Sequence, residues 1–226
     1  MSTQLTAKEN IRILYIDAIN AAGGNNLTRT GKSCKVFFDT IKKLPDTKTV
    51  ALKDFFKIFS DDINDFDRLF LYFCKGKETG LVNFGKKKAA LFLRNLDLVQ
   101  ERPDETEKLF SNYKMDRLHL RIPVDIVITT VLNSILFSNR SPLDPGRDFD
   151  KINEFAYMVL GQDFMLIEDL WFWGYFNLKI IKGQEKPNVE FNEDKYFSAN
   201  FIYPHTELES RLREFTKLIT HVTHKM

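Results

Sequence analysis

Cysteine is scarce in this sequence: 226 residues contain two, Cys34 and Cys74. Two are too few for a disulfide framework and these are not closely spaced ligands, which excludes a four-cysteine zinc site or iron–sulfur cluster and makes a reduced, intracellular (cytoplasmic) compartment the expectation. The histidines, His119, His205, His221 and His224, show no metal-binding spacing, so no metal or cofactor is expected. Long apolar runs are missing as well. The longest, residues 122 to 137, is short and carries Asp125, and the opening MSTQLTAKENIR is polar, so neither a membrane segment nor a signal peptide is expected. There is little excess of charge of either sign: 33 Lys and Arg stand against 31 Asp and Glu. Bulk charge therefore argues for no partner, and a nucleic acid would have to be met by a local basic face. Internal repeats and low-complexity tracts are absent.

One motif lacks an essential part. The stretch GGNNLTRTGKS, residues 23 to 33, ends like a phosphate-binding P-loop, but that loop needs a glycine five positions before Gly31, where this chain has Asn26. Gly24 stands two residues too early, and the preceding segment reads as a helix rather than a buried strand. The expectation is a helix stop, a loop and a new helix beginning near Lys32.

What is abundant is apolar residues at helical spacing. With 43% hydrophobic and 13% aromatic residues, the chain can bury a sizeable core as one compact unit. Apolar positions three and four apart predict helices over 7–22, 32–43, 49–59, 62–75 and 86–98, with another at 104–113. Pro123 biases the residue before it toward extended backbone, and Asp125 stands as an N-cap before Ile128, Val131, Leu132 and Ile135. Residues 139–148 read as a loop. Helices follow at 149–160, stopped by Gly161, and at 165–177. Residues 183–205 lack a period and leave room for a short strand pair, before a last helix at 206–223. The fold class is all-α, built from roughly ten helices.

The segment LVNFGKKKAALFL, residues 81 to 93, puts three lysines at the start of a helix, where the backbone already favours anions. Residues 66–77, the turn TGLVNFG and the helix from 86 form a helix, hairpin and helix. Asn83 and Gly85 are residue types that tolerate the left-handed conformations such a turn requires. Lysines at that helix end are unfavourable unless an anion is present, which points to a nucleic-acid phosphate.

Here the sequence resembles the helix–hairpin–helix DNA glycosylases. NFGKKKAA is similar to their hairpin pattern, with Asn83 in place of the first glycine, and IPVDIVITTVL to their Pro-Val-Asp helix start; INEFAYMVLGQDFMLIEDLWFWGYF looks like their closing helices. The resemblance covers about residues 50 to 178. It implies a glycosylase fold of two helical lobes, about 50–140 and about 1–49 with 141–226, around a cleft. It also implies Lys87 as the Schiff-base nucleophile, Asp125 as the catalytic carboxylate, and Asn83, Gly85, Lys86 and Lys88 at the DNA phosphates. Lys87 and Asp125 are 38 positions apart, which resembles the archaeal 8-oxoguanine glycosylase branch.

The chemistry suits these residue types. A carboxylate stabilises the cation-like sugar formed as a base leaves, and a deprotonated lysine attacks the sugar carbon and permits strand cleavage. An extruded base needs aromatic walls, for which Phe84, Trp171, Phe172, Trp173, Tyr175 and Tyr203 are candidates. The expected partner is double-stranded DNA carrying a modified base or abasic site, bound by a monomer with no membrane. Two rivals stay open: a nucleosidase for a modified nucleoside, and a helix–hairpin–helix module that binds DNA without excising anything.

Overall fold

The computed structural model describes residues 5–21, 27–101, 108–112, 120–135, 142–179 and 188–189. Helices dominate them, and the chain divides into two compact units, Met1–Pro123 and Val124–Met226. That division falls elsewhere than the expected lobes, because the N-terminal helices pack with the hairpin segment in the first unit.

The first unit opens with α1, Ala7–Asn20. Its start is written in the sequence: the Thr6 hydroxyl accepts the backbone N–H of Glu9 while the Glu9 carboxylate accepts that of Thr6, a capping box. Helix α2 covers Leu27–Ile41, beginning five residues before the expected Lys32. The reason is that its buried face, Thr30, Ser33, Phe37 and Ile41, starts with polar residues and gives no apolar period. Gly31, Lys32 and Ser33 of the P-loop lookalike thus lie inside a helix, and Ser33 is fully buried, paired to the Tyr15 hydroxyl at 2.7 Å.

After α2 the chain forms β1 (Val50–Ala51), α3 (Leu52–Lys57), α4 (Phe66–Cys74), the single turn α5 (Gly76–Thr79), α6 (Lys86–Gln100) and β2 (Phe110–Ser111). The helix expected over 49–59 is met by α3 and corrected at Val50–Ala51; the one expected over 104–113 is corrected at Phe110–Ser111, and its residues 104–107 and 113 lie outside the described ones. Val50 pairs with Phe110 and Ala51 with Ser111 in a parallel bridge. The buried Gln100 side chain substitutes for a further strand edge: its Oε1 accepts the N–H groups of Leu109 and Phe110 at 3.1 and 3.0 Å, and its Nε2 donates to the Phe110 carbonyl at 2.9 Å.

Helix α6 packs on α1 and α4 around an aromatic cluster. Tyr15 stacks on Phe37 at 3.7 Å and on Phe84 at 4.7 Å, with Phe92 edge-on at 5.6 Å and Phe73 edge-on to Phe84 and Phe92. Each buried ring removes apolar surface worth about 2–3 kcal/mol, and each well-placed pair adds about 1 kcal/mol, so this cluster contributes substantially to the stability of the unit. Burial pushes the Tyr15 phenol well above its ordinary pKa, with the Ser33 hydrogen bond acting the other way.

The second unit holds α7 (Ile126–Ile135), α8 (Phe149–Leu160), a 3-10 helix (Gly161–Ile167), α9 (Glu168–Asn177) and an antiparallel pair, β3 (Leu178–Lys179) with β4 (Asn188–Val189). Helix α7 packs on α9, and α8 on the 3-10 helix. Gly161 ends α8 as expected, with φ 58° and ψ −124°, and the following residues tighten into the 3-10 turn before α9 starts at Glu168. Between α7 and α8 the loop is tied by side chains. Asn133 accepts the Leu143 N–H at 2.9 Å, and the buried Asp148 takes the Arg147 guanidinium at 2.7 Å and the Asp144 N–H at 2.9 Å. These contacts, Arg147 first, hold the Asp148 carboxyl well below the usual carboxylate range. Of the expected irregular stretch 183–205, residues 188 and 189 are described; the 206–223 helix and Tyr203 lie outside the described residues. Among the described residues no helix is long and apolar enough to cross a membrane.

Candidate functional site

The hairpin is built by close backbone approach. At Gly76, which opens α5, an added Cβ would lie 2.8 Å from the Leu81 carbonyl oxygen, so only glycine lets the chain fold back at this distance. The reversal uses two left-handed residues, Gly80 at φ 77° and Asn83 at φ 67°. Gly80 faces Val36 of α2, and the Asn83 amide donates to the Thr30 hydroxyl at 3.2 Å, so the turn is docked on α2 at two points. Gly85 differs from the expectation: at φ −93° and ψ −174° it is extended, and its role is that of N-cap to α6. The left-handed burden falls on Gly80 instead, because the turn is completed before Phe84 enters the core.

As a glycine, the N-cap brings no side chain to the first N–H groups of α6, and the first turn holds Lys86, Lys87 and Lys88 with no acidic residue. The positive end of the helix dipole and three lysines therefore share one end. Lys86 and Lys87 are half-buried, whereas Lys88 is 7% exposed. Burial, and next the charge of Lys87, lowers the pKa of Lys88. The amine that burial depresses is thus one position beyond the one the hairpin pattern selects.

In the second unit Asp125 takes the cap position expected of it. Its Oδ1 accepts the N–H groups of Val127 at 2.9 Å and Ile128 at 3.1 Å, and its carbonyl accepts the Thr129 hydroxyl at 3.0 Å. The side chain is 8% exposed, and Oδ2 accepts the indole N–H of Trp171 on α9 at 2.9 Å. Trp171 in turn stacks on Tyr175 at 5.0 Å, one helical turn on. The carboxylate is therefore gripped at both oxygens.

Of the aromatic candidates, Phe84 is corrected: at 2% exposure it is a core ring between Tyr15, Phe73 and Phe92, and its faces are occupied by the fold. Trp171, 38% exposed, and Tyr175, half-buried, keep accessible surface. The side chains of Phe172 and Trp173 lie outside the described ones. Sequence reasoning missed Thr30, Gly80 and the Trp171–Asp125 bond. Only Gly80 left a local signal, as a glycine closing a helical segment. Among the described residues no cluster of three or more His, Cys, Asp or Glu could hold a metal ion. No family model, curated protein or solved structure matches this chain.

Proposed function

We propose that this chain is a helix–hairpin–helix DNA glycosylase with abasic-site lyase activity, similar to the archaeal 8-oxoguanine branch. The observation that carries the reading is the start of α6, where a glycine N-cap, three lysines and no acidic residue follow a tight turn. Backbone N–H groups and lysines gathered at a helix N-terminus suit a phosphate, and with Asn83 and Gly85 they supply contacts to one DNA strand. Asp125, capping α7 with both oxygens engaged, supports the other half of the reading: a carboxylate that cannot swing away is suited to stabilising a sugar cation.

In the proposed reaction the neutral lysine amine attacks the sugar C1′, and the C1′–N bond breaks with its electron pair leaving on the base. A proton lost from nitrogen and ring opening give the imine. Removal of a C2′ proton then expels the 3′ phosphate by β-elimination, and water hydrolyses the imine. Lys87 is the nucleophile by its place in the hairpin pattern. A second reading, with Lys88 as the amine, is favoured by its burial and lowered pKa, since lysine's ordinary value of about 10.4 leaves little neutral amine at pH 7.

Borohydride trapping on labelled duplexes carrying 8-oxoguanine or an abasic site tests the reading. Wild-type protein is expected to form a covalent adduct that Lys87→Gln abolishes. Loss in Lys88→Gln instead moves the nucleophile one residue along. Absence of any adduct removes the lyase claim, and base release from other modified DNA, then from free nucleosides, separates a simple glycosylase from a nucleosidase or a binding module.

A further inference from the structure

Helix α2 carries a stretch that the proposed function leaves unused, TRTGKS at residues 28 to 33. From Leu27 to Phe38 the helix holds Arg29, Lys32 and Lys35 and no acidic residue, in a chain whose charges otherwise nearly cancel. Its buried side is Thr30, Ser33, Phe37 and Ile41. Arg29, Lys32 and Val36, at i, i+3 and i+7, form a separate stripe along it. Arg29 and Lys32 are exposed there and Val36 is half-buried.

Two contacts fix where that stripe lies. Val36 meets the hairpin at Gly80, where an added Cβ would come within 3.3 Å of Val36 Cγ2. Thr30 accepts the Asn83 amide at 3.2 Å, and Asn83 stands two positions before Gly85, the N-cap of α6. Glycine would meet the φ of 67° at position 83 with less strain, and asparagine adds what glycine lacks, an amide that ties the turn to α2. Lys32 falls between the two contacts, two residues after Thr30 and four before Val36, so its backbone runs alongside the hairpin. Helical side chains lean toward the N-terminus of their helix, which carries Lys32 from the level of Val36 toward the level at which Asn83 docks. All of these residues belong to the first unit, as does α6.

We propose that Lys32 is a further DNA-phosphate contact, and that α2 and the start of α6 together hold neighbouring phosphates of the duplex. This rests on the reading of the hairpin as a DNA-binding element. The exposed part of the stripe offers positive charge and no aromatic side chain, which suits the backbone of a nucleic acid and not its bases. The lysine of the P-loop lookalike thereby gains a phosphate-binding role through its place beside the hairpin, without a nucleotide loop.

Fluorescence anisotropy on undamaged and abasic-site duplexes, at several salt concentrations, tests the assignment with wild type, Lys32→Ala, Lys86→Ala, the double variant and Lys53→Ala. Lys53 is an exposed lysine of α3, so its removal changes net charge equally. Lys32→Ala is expected to lower the slope of log affinity against log salt by about one on both duplexes, and the double variant by about two. Its melting temperature should match wild type, because the side chain is exposed. An unaltered slope in Lys32→Ala beside a lowered one in Lys86→Ala makes Lys32 a solvated surface lysine and overturns the inference while the hairpin reading stands. An equal fall in Lys53→Ala marks a response to net charge and overturns it as well. If wild type shows no salt-dependent affinity for either duplex, the DNA-binding reading fails and this contact with it. Binding without a borohydride adduct removes the lyase claim and leaves the slopes to decide the role of Lys32.

Discussion

At the scale of single residues, the hairpin separates two glycines that look equivalent in the sequence. Gly80 sits at φ 77°, and an added Cβ would lie 3.3 Å from Val36 Cγ2, whereas Gly85 is extended with nothing within 4 Å of an added Cβ. Gly80→Ala is therefore expected to lose about 1–2 kcal/mol from the left-handed backbone alone, with the Val36 contact adding to it. Gly85→Ala should cost about 1 kcal/mol, the preference of an N-cap for glycine over alanine, with no backbone strain or contact added to it. Urea-denaturation midpoints of the two variants measure this contrast, and equal losses would refute the assigned geometry. Residue burial likewise separates the three lysines, which composition presents as one basic cluster: Lys88 alone is counted with the buried side chains.

At the scale of elements, the β1–β2 bridge shows a single side chain replacing a ladder. Gln100 ends α6 and supplies three hydrogen bonds to the backbone of Leu109 and Phe110, both buried. Removing it by Gln100→Leu leaves two N–H groups and one carbonyl short of partners in the interior. Unsatisfied buried groups carry about 1–3 kcal/mol each, and relaxation offsets part of the sum, so a destabilisation of about 2–4 kcal/mol is expected. Chemical denaturation gives the magnitude. Native-state hydrogen exchange locates it, because the amides of Leu109 and Phe110 should exchange fastest relative to wild type. Unchanged protection there would show that the bridge holds without the glutamine.

At the scale of the whole molecule, the charge balance of 33 to 31 bears directly on the proposed DNA partner. With no bulk positive field, affinity must come from the few lysines at the start of α6 and similar local contacts, so binding should be weak on undamaged duplex, with a salt slope no larger than a few phosphate contacts give. Replacing Lys86 by Ala is expected to lower the slope of log affinity against log salt by about one, uniformly across DNA sequences. Fluorescence anisotropy at several salt concentrations measures the slope. An unaltered slope would remove Lys86 from the phosphate contacts.

The sequence by itself determined the helical character of the chain, the start of α1 at Thr6, the cap of α7 at Asp125 and the stop at Gly161. Those features are local: a period of 3.6, a cap three residues from its donor and a glycine at a helix end are all encoded within one or two turns. The tertiary structure decided what covers each face. Thr30 and Ser33 became a buried helix face because Tyr15 and Asn83 reach them, which moved the start of α2. Phe84 became a core ring because Tyr15 lies over it, and residues 110 and 111 became a strand because Gln100 and Val50 meet them. The bond from Trp171 to Asp125 belongs to the same class. Periodicity reports that a face is apolar or a residue polar, but the partner that meets it is set by packing between segments distant in the chain.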